Sequence, residues 1–169
     1  HPGDALRRTI GSGPIYPLVV LFGLNAVDEL DRTGFGILVP NIRDDLGLSN
    51  QGILSLIGLT LLGALLCQLP IAIWADRGNR VGIALLGAAT WAVFSLFTWF
   101  SVSVWMLIVA RSGAGMGRAV VDPTHNSLLA DLYPVDKRAS VYSLHRSANA
   151  LGQFVGPLLA GGLAYATGN

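Results

Sequence analysis

The sequence predicts an all-α integral membrane protein, a bundle with five transmembrane helices, and three observations carry that expectation. Apolar residues make up 52% of the 169-residue chain and charged residues only 12%, about half the charged share usual in soluble domains. Apolar stretches of about 20 residues, the length a helix needs to cross a ~30 Å hydrocarbon core, recur along the chain. Arg118, Asp122 and His125 follow Arg111 at seven, eleven and fourteen residues inside one such stretch, which places all four on a single helical stripe. An ionisable side chain at the bilayer centre costs at least ~2.5–3.5 kcal/mol and usually faces a cavity or a partner. A row of four in one span therefore marks a working interior.

Residues 1–13 read as a cytoplasmic segment, and residues 14–169 as part of a transmembrane half. The first span is expected over residues 17–42, the second over 53–74, an apolar run that holds the single cysteine, Cys67. Residues 81–110 are uncharged throughout and too long for one comfortable span. Ser101–Ser103 divide them into a third span over 81–100 and a fourth over 104–122, extending to about 132. The fifth covers 139–166. Trp74, Trp99 and Trp105 fall near span ends, where the amphipathic indole prefers the headgroup level. Trp91 lies mid-span and reads as packing.

Orientation follows from positive charge near the helix ends. Arg7 and Arg8 precede the first span, Arg77 and Arg80 join the second to the third, and Lys137 and Arg138 join the fourth to the fifth. The opposite loops offer only Arg43, offset by Asp44 and Asp45. The N-terminus is thus expected in the cytoplasm. A net charge of +1 without a basic run argues against a nucleic-acid partner. His1, His125 and His145 are scattered and Cys67 has no charged neighbour, so neither an enzyme's nucleophile nor a metal or cofactor site is expected.

Polar residues concentrate on three of the spans. In the first, Asn25, Asp28, Glu29 and Arg32 share a face, with Asp31 beside Asp28, and Asp28 and Arg32 are i,i+4 neighbours. Close carboxylates and desolvation both favour a protonated carboxyl group, which proton coupling requires. The fourth span adds Arg111 and Arg118, with Asp122 in i,i+4 reach of Arg118. The fifth supplies Tyr142, Arg146, Asn149 and Gln153 on one face, with His145 off to one side. Asp28, Glu29, Asp31 and Asp122 balance Arg32, Arg111, Arg118 and Arg146, an equality that fits a shared polar interior. Asp122 and His125 approach the cytoplasmic interface, where His125 is expected in water, and Pro123 interrupts the helix between them. Gly113, Gly115 and Gly117 in the fourth span and Gly152, Gly156, Gly161, Gly162 and Pro157 in the fifth allow close helix approach.

These motifs resemble a known family. The run from Ala72 through Asp76, Arg77, Gly78 and Asn79 to Arg80 resembles the loop motif of the major facilitator superfamily. Arg111 to Gly117 resembles its fourth-helix R-x-x-x-G-x-G pattern, and Gly152 to Pro157 its fifth-helix Gly-Pro motif. Asp31-Arg32, Pro40 to Ile42, and Asp45 to Ser49 are similar to the first helix and loop of the Spinster-like branch, although Arg118 stands where that branch usually carries Glu. The resemblance implies the N-terminal part of a major-facilitator bundle, with the sixth helix and C-terminal half absent. It implies a secondary active transporter that moves a small amphiphilic or organic solute by alternating access, coupled to protons or another ion, in the plasma membrane. Asp31 would be the coupling carboxylate, with Arg32 and Arg111 as partners and Asp28 and Glu29 nearby. Arg118, Asp122, Tyr142, Arg146, Asn149 and Gln153 would line the substrate cavity. Asp76, Arg77, Asn79 and Arg80 would form a cytoplasmic gating loop, and Gly115, Gly117, Gly152, Gly156 and Pro157 the packing seams. Anion uptake and lipophile efflux both remain open, and a non-transporting sensor or scaffold is the alternative.

Overall fold

The computed structural model describes residues 7, 9–77 and 79–167, the side chains of residues 72, 75–77, 122, 164 and 167 lying outside that description. The helices defined among the described residues are, in chain order, α1 (Ile15–Asp45), α2 (Asn50–Arg77), α3 (Arg80–Trp99), α4 (Val104–Arg118), α5 (Val121–Leu132) and α6 (Val135–Thr167).

Local sequence sets where they start and stop. Gly47, at φ 61°, takes the left-handed conformation after α1. The Gly47 and Leu48 N–H groups then return to the Asp44 and Arg43 carbonyls at 3.1 and 2.8 Å, closing the helix end as a left-handed C-terminal glycine does. Ser49 accepts from the Gly52 N–H at 3.1 Å and so caps α2. Asn79 caps α3 through the Val81 and Gly82 N–H groups, and Ser103 caps α4 through that of Met106.

The break between α4 and α5 falls at Ala119–Val120, three to four residues ahead of Pro123, where the sequence predicts the interruption. The reason is geometric. Pro123 has no N–H to give the Ala119 carbonyl and its ring crowds that carbonyl, so the chain leaves the α-helix a turn earlier. Pro123 itself then sits in the first turn of α5, where a missing donor costs little.

Three helical stretches are long and apolar enough to cross a membrane: Asn50–Ile71, Arg80–Trp99 and Val104–Leu132, the last running across the α4–α5 break. The other two long helices differ for a visible reason. In α1 the four charges from Asp28 to Arg32 fall mid-helix, and α6 is diluted by polar residues and glycine. At 31 and 33 residues they extend about 45–50 Å at ~1.5 Å per residue. Asn25 and Glu29 of α1 meet Asn149 and Gln153 of α6, and the described bundle has five membrane-crossing elements, the fourth in two pieces.

Helix α1 packs chiefly on α6, and α4 on α3 and α2. Glycines set both close approaches. A Cβ on Gly152 would lie 2.5 Å from the Ala26 carbonyl and 2.7 Å from the Glu29 Cβ, and one on Gly156 would meet Thr33 and the Leu30 backbone. Gly117 and Gly87 face each other between α4 and α3, where a Cβ on Gly117 would lie 2.6 Å from the Gly87 carbonyl. Gly115 instead faces Ala64 of α2. Two apolar clusters close the ends. One joins Ile10, Leu18, Leu21, Leu129, Tyr133 and Val141; the other joins Ile53, Leu56 and Leu107, with Phe35, Val39 and Ile42 packed against them. The charged layer lies between.

Candidate functional site

Helices α1 and α4 make little backbone contact, and guanidinium groups span the gap between them. The Arg111 Nη1 donates to Asp31 Oδ2 at 3.1 Å, and the Arg118 Nη2 donates to that same oxygen at 3.1 Å. The Arg118 Nε donates to Asp28 Oδ1 at 2.5 Å. The four side chains form a chain, Arg111–Asp31–Arg118–Asp28, in which two carboxylates and two guanidinium groups cancel. Asp28 and Arg111 are almost wholly withdrawn from solvent. Such ionised hydrogen bonds are roughly twice as strong as neutral ones, and desolvation makes each partner costly to leave unpaired. The Arg111 guanidinium also lies 4.1 Å from the centre of the Phe35 ring, a cation–π contact that holds it upright.

Helix periodicity explains why these residues meet. Asp28 and Asp31 are three apart on α1, and Arg111 and Arg118 are seven apart on α4, so each pair lies on one stripe facing the other helix. The neighbouring i,i+4 arrangement of Asp28 and Arg32 is not used. Arg32 turns outward, 63% exposed, and pairs with Glu29 at 3.8 Å, while Asp28 goes to Arg118. Pairing across helices wins because Arg118 reaches both Asp28 and Asp31, whereas Arg32 would reach only one.

Beside this chain lies a cavity of about 620 Å³. Arg32, Arg111 and Arg118 enter its wall from α1 and α4; Thr60 and Gln68 enter from α2, among apolar residues that include Phe35, Ile57 and Leu61. Three cationic groups, two neutral hydrogen-bonding side chains and an apolar floor suit a molecule with an anionic end and a less polar body. Thr60 and Gln68 were not legible as site residues: each is a lone polar residue in an apolar run.

The remaining expected site residues fall elsewhere. Asn149 and Gln153 face α1 rather than this cavity. The Asn25 Nδ2 donates to Asn149 Oδ1 at 2.6 Å, and the Gln153 Nε2 donates to Glu29 Oε1 at 3.1 Å. The Tyr142 hydroxyl donates to the Asn126 carbonyl at 3.1 Å, tying α6 to α5. Arg146 is exposed. In the loop region, Asn79 caps α3 and Arg80 pairs with Asp131 at 2.5 Å, joining the start of α3 to the end of α5. Asp76, Arg77 and Asp122 have side chains outside the described residues. His125 is not in water: His125 and His145 are each 3% exposed, with ring centres 5.4 Å apart and an edge-on geometry. The expected exposure fails because α6 covers this level of the bundle, with His145 lying edge-on against His125. No group of three or more potential metal ligands occurs among the described residues.

Comparison with known proteins places this geometry in context. The sequence pattern of the Major Facilitator Superfamily matches residues 21–168. The chain is 30% identical over 142 residues to a D-galactonate transporter of Escherichia coli O6:H1, covering 82% of this chain and 31% of that protein. It is 26% identical over 161 residues to protein spinster homolog 1 of Homo sapiens, covering 90% of this chain and 30% of that one. A crystal structure of a bacterial homologue of the human lysosomal transporter Spinster, inward-facing and unoccupied, superposes with a TM-score of 0.80 at 31% identity. That superposition covers 90% of this chain and 33% of the other. The chain thus spans about a third of the length of the relatives it matches.

Proposed function

Because the chain belongs to the Major Facilitator Superfamily, we propose that it forms part of a longer secondary carrier that moves a small organic acid across a membrane by alternating access. The observation that carries the reading is the cavity of about 620 Å³ with three guanidinium groups in its wall. Two of them, Arg111 and Arg118, are held by Asp31, so a substrate carboxylate competes with Asp31 for the same donors. Protonating Asp31 removes that competition. Proton binding and anion binding then favour each other, which is the linkage a proton-coupled symporter needs. The D-galactonate transporter among its relatives supports a sugar-acid solute, with Thr60 and Gln68 available to hydroxyl groups. In this reading the N-terminus lies in the cytoplasm and the protein resides in the plasma membrane. Arg80 and Asp131, with Asp76 and Arg77, form the cytoplasmic latch that breaks and reforms as the carrier alternates.

Counterflow in proteoliposomes carrying the full-length protein tests the solute class. Labelled galactonate should exchange against unlabelled galactonate, and Arg111→Gln should weaken the exchange. Exchange of a neutral sugar with equal efficiency, or indifference to Arg111→Gln, would defeat the organic-acid reading.

A further inference from the structure

The buried histidines have no part in the charge chain, yet they lie one helical turn from it. Contacts along α1 fix their level. Pro14 accepts from the Tyr133 hydroxyl, and Leu18 and Leu21 lie in the apolar cluster with Leu129 and Val141. The Asn25 Nδ2 then donates to the His145 carbonyl at 3.3 Å, and Asp28 meets Arg118. His125 and His145 therefore sit between Asp28 and the end of the bundle that carries the 133–138 connection. A small cavity of about 20 Å³ has both Asp28 and His125 in its wall, together with Trp91 and Thr124. The Trp91 indole N–H is buried without an acceptor among the described residues. That volume holds one water, which needs roughly 10–15 Å³ and two to four polar partners.

We propose that His125 and His145 form a proton relay that exchanges a proton with Asp28 through one water held in this cavity. The proposal rests on the proton-coupled reading above. An imidazolium N–H bond breaks as an O–H bond forms on the water, and a water proton passes to the Asp28 carboxylate. The relay then holds one proton fewer and Asp28 one more, with net charge unchanged and no co-reactant needed. Once neutral, Asp28 releases the Arg118 Nε, and Arg118 keeps only its bond to Asp31. Imidazole suits the task because it alone among unperturbed side chains titrates between about pH 5 and 8. Among the described side chains, the charged and titratable groups around the pair are Asp28 on α1, Arg118 of α4 behind it and Arg146 beside His145 on α6. The lining from α3 contributes Trp91 and small apolar residues, none of which titrates. The apolar cluster of Leu18, Leu21, Leu129, Tyr133 and Val141 separates the pair from the 133–138 connection, so the relay is loaded when that end opens.

The test uses the full-length carrier in proteoliposomes, with His125→Gln and His145→Gln compared for gradient-driven uptake and for counterflow. Loss of a positioned proton-transfer group should slow gradient-driven uptake on the order of a hundredfold while counterflow stays within about twofold. Unchanged gradient-driven uptake in both variants overturns the relay alone. Uptake in the unaltered carrier that ignores the gradient overturns the coupling reading and the relay together. A second measurement needs no histidine variant to fold: 15N titration of the histidine rings in the unaltered carrier and in Asp28→Asn. The relay predicts that Asp28→Asn moves the histidine titration, and identical curves would overturn it.

Discussion

Arg118 is the residue on which the polar layer turns, because among the described residues it bridges the buried Asp28 and the half-buried Asp31. Replacing it leaves Asp28 and one bond of Asp31 without a cation, and removing one partner of a buried pair costs about 3–5 kcal/mol. Arg118→Met should therefore lower the thermal midpoint of the purified full-length protein markedly. Adding Asp28→Asn should recover much of the loss, since the amide no longer needs a charge partner. A double-mutant cycle read by thermal unfolding checks this, and strict additivity would show that the two side chains do not interact. Gly152 makes a second demand at this scale. Its missing Cβ is what lets α6 lie against the Ala26 carbonyl, so Gly152→Val should force the helices apart and cost about 1–3 kcal/mol, seen as reduced folded yield in detergent.

At the scale of the elements, the α4–α5 break divides the fourth span. Pro123→Ala restores a donor for the Ala119 carbonyl, and the expected outcome is a straighter helix with slower backbone hydrogen exchange at residues 119–123. Unaltered exchange there would show that something other than Pro123 makes the break. The Arg80–Asp131 bridge joins α3 to α5 with both side chains largely exposed. Asp131→Asn should hence shift stability by no more than about 1 kcal/mol, with any larger effect confined to transport rate. The legible and illegible parts of this layer divide on physical grounds. Charges in an apolar stretch are readable because burial is expensive, so Asp28, Asp31, Arg111 and Arg118 are legible in the sequence. Helical phase placed them on shared stripes. The partner of each charge did not follow, since Arg32 and Asp122 were closer in sequence to Asp28 and Arg118 than the residues across the gap. The burial of His125 depends on α6 covering that level of the bundle, a contact between distant segments that the spacing along the fourth span does not carry.

For the whole molecule, periodicity and length made the all-helical bundle readable, while hydropathy alone recovers three of the five membrane-crossing elements. The two it misses are α1 and α6, whose polar residues lower their hydropathy: Asn25 and Glu29 pair with Asn149 and Gln153 between the two helices, and Asp28 and Asp31 pair with the arginines of α4. The side carrying residues 77–80 and 133–138 is expected in the cytoplasm. With Cys67 replaced by Ala, a single cysteine at position 136 should label only from the cytoplasmic side and one at position 102 only from outside, and the reverse pattern would invert the topology. Within that frame, the polar layer is a neutral chain of two aspartates and two arginines beside a cavity lined by guanidinium groups, and the proposed coupling rests on solute and Asp31 competing for the same donors. Uptake of labelled galactonate into proteoliposomes, with and without an imposed pH gradient, tests this most directly when the unaltered carrier is compared with Asp31→Asn. Asp31→Asn should abolish gradient-driven accumulation while leaving exchange measurable; accumulation at the unaltered rate would contradict coupling through Asp31.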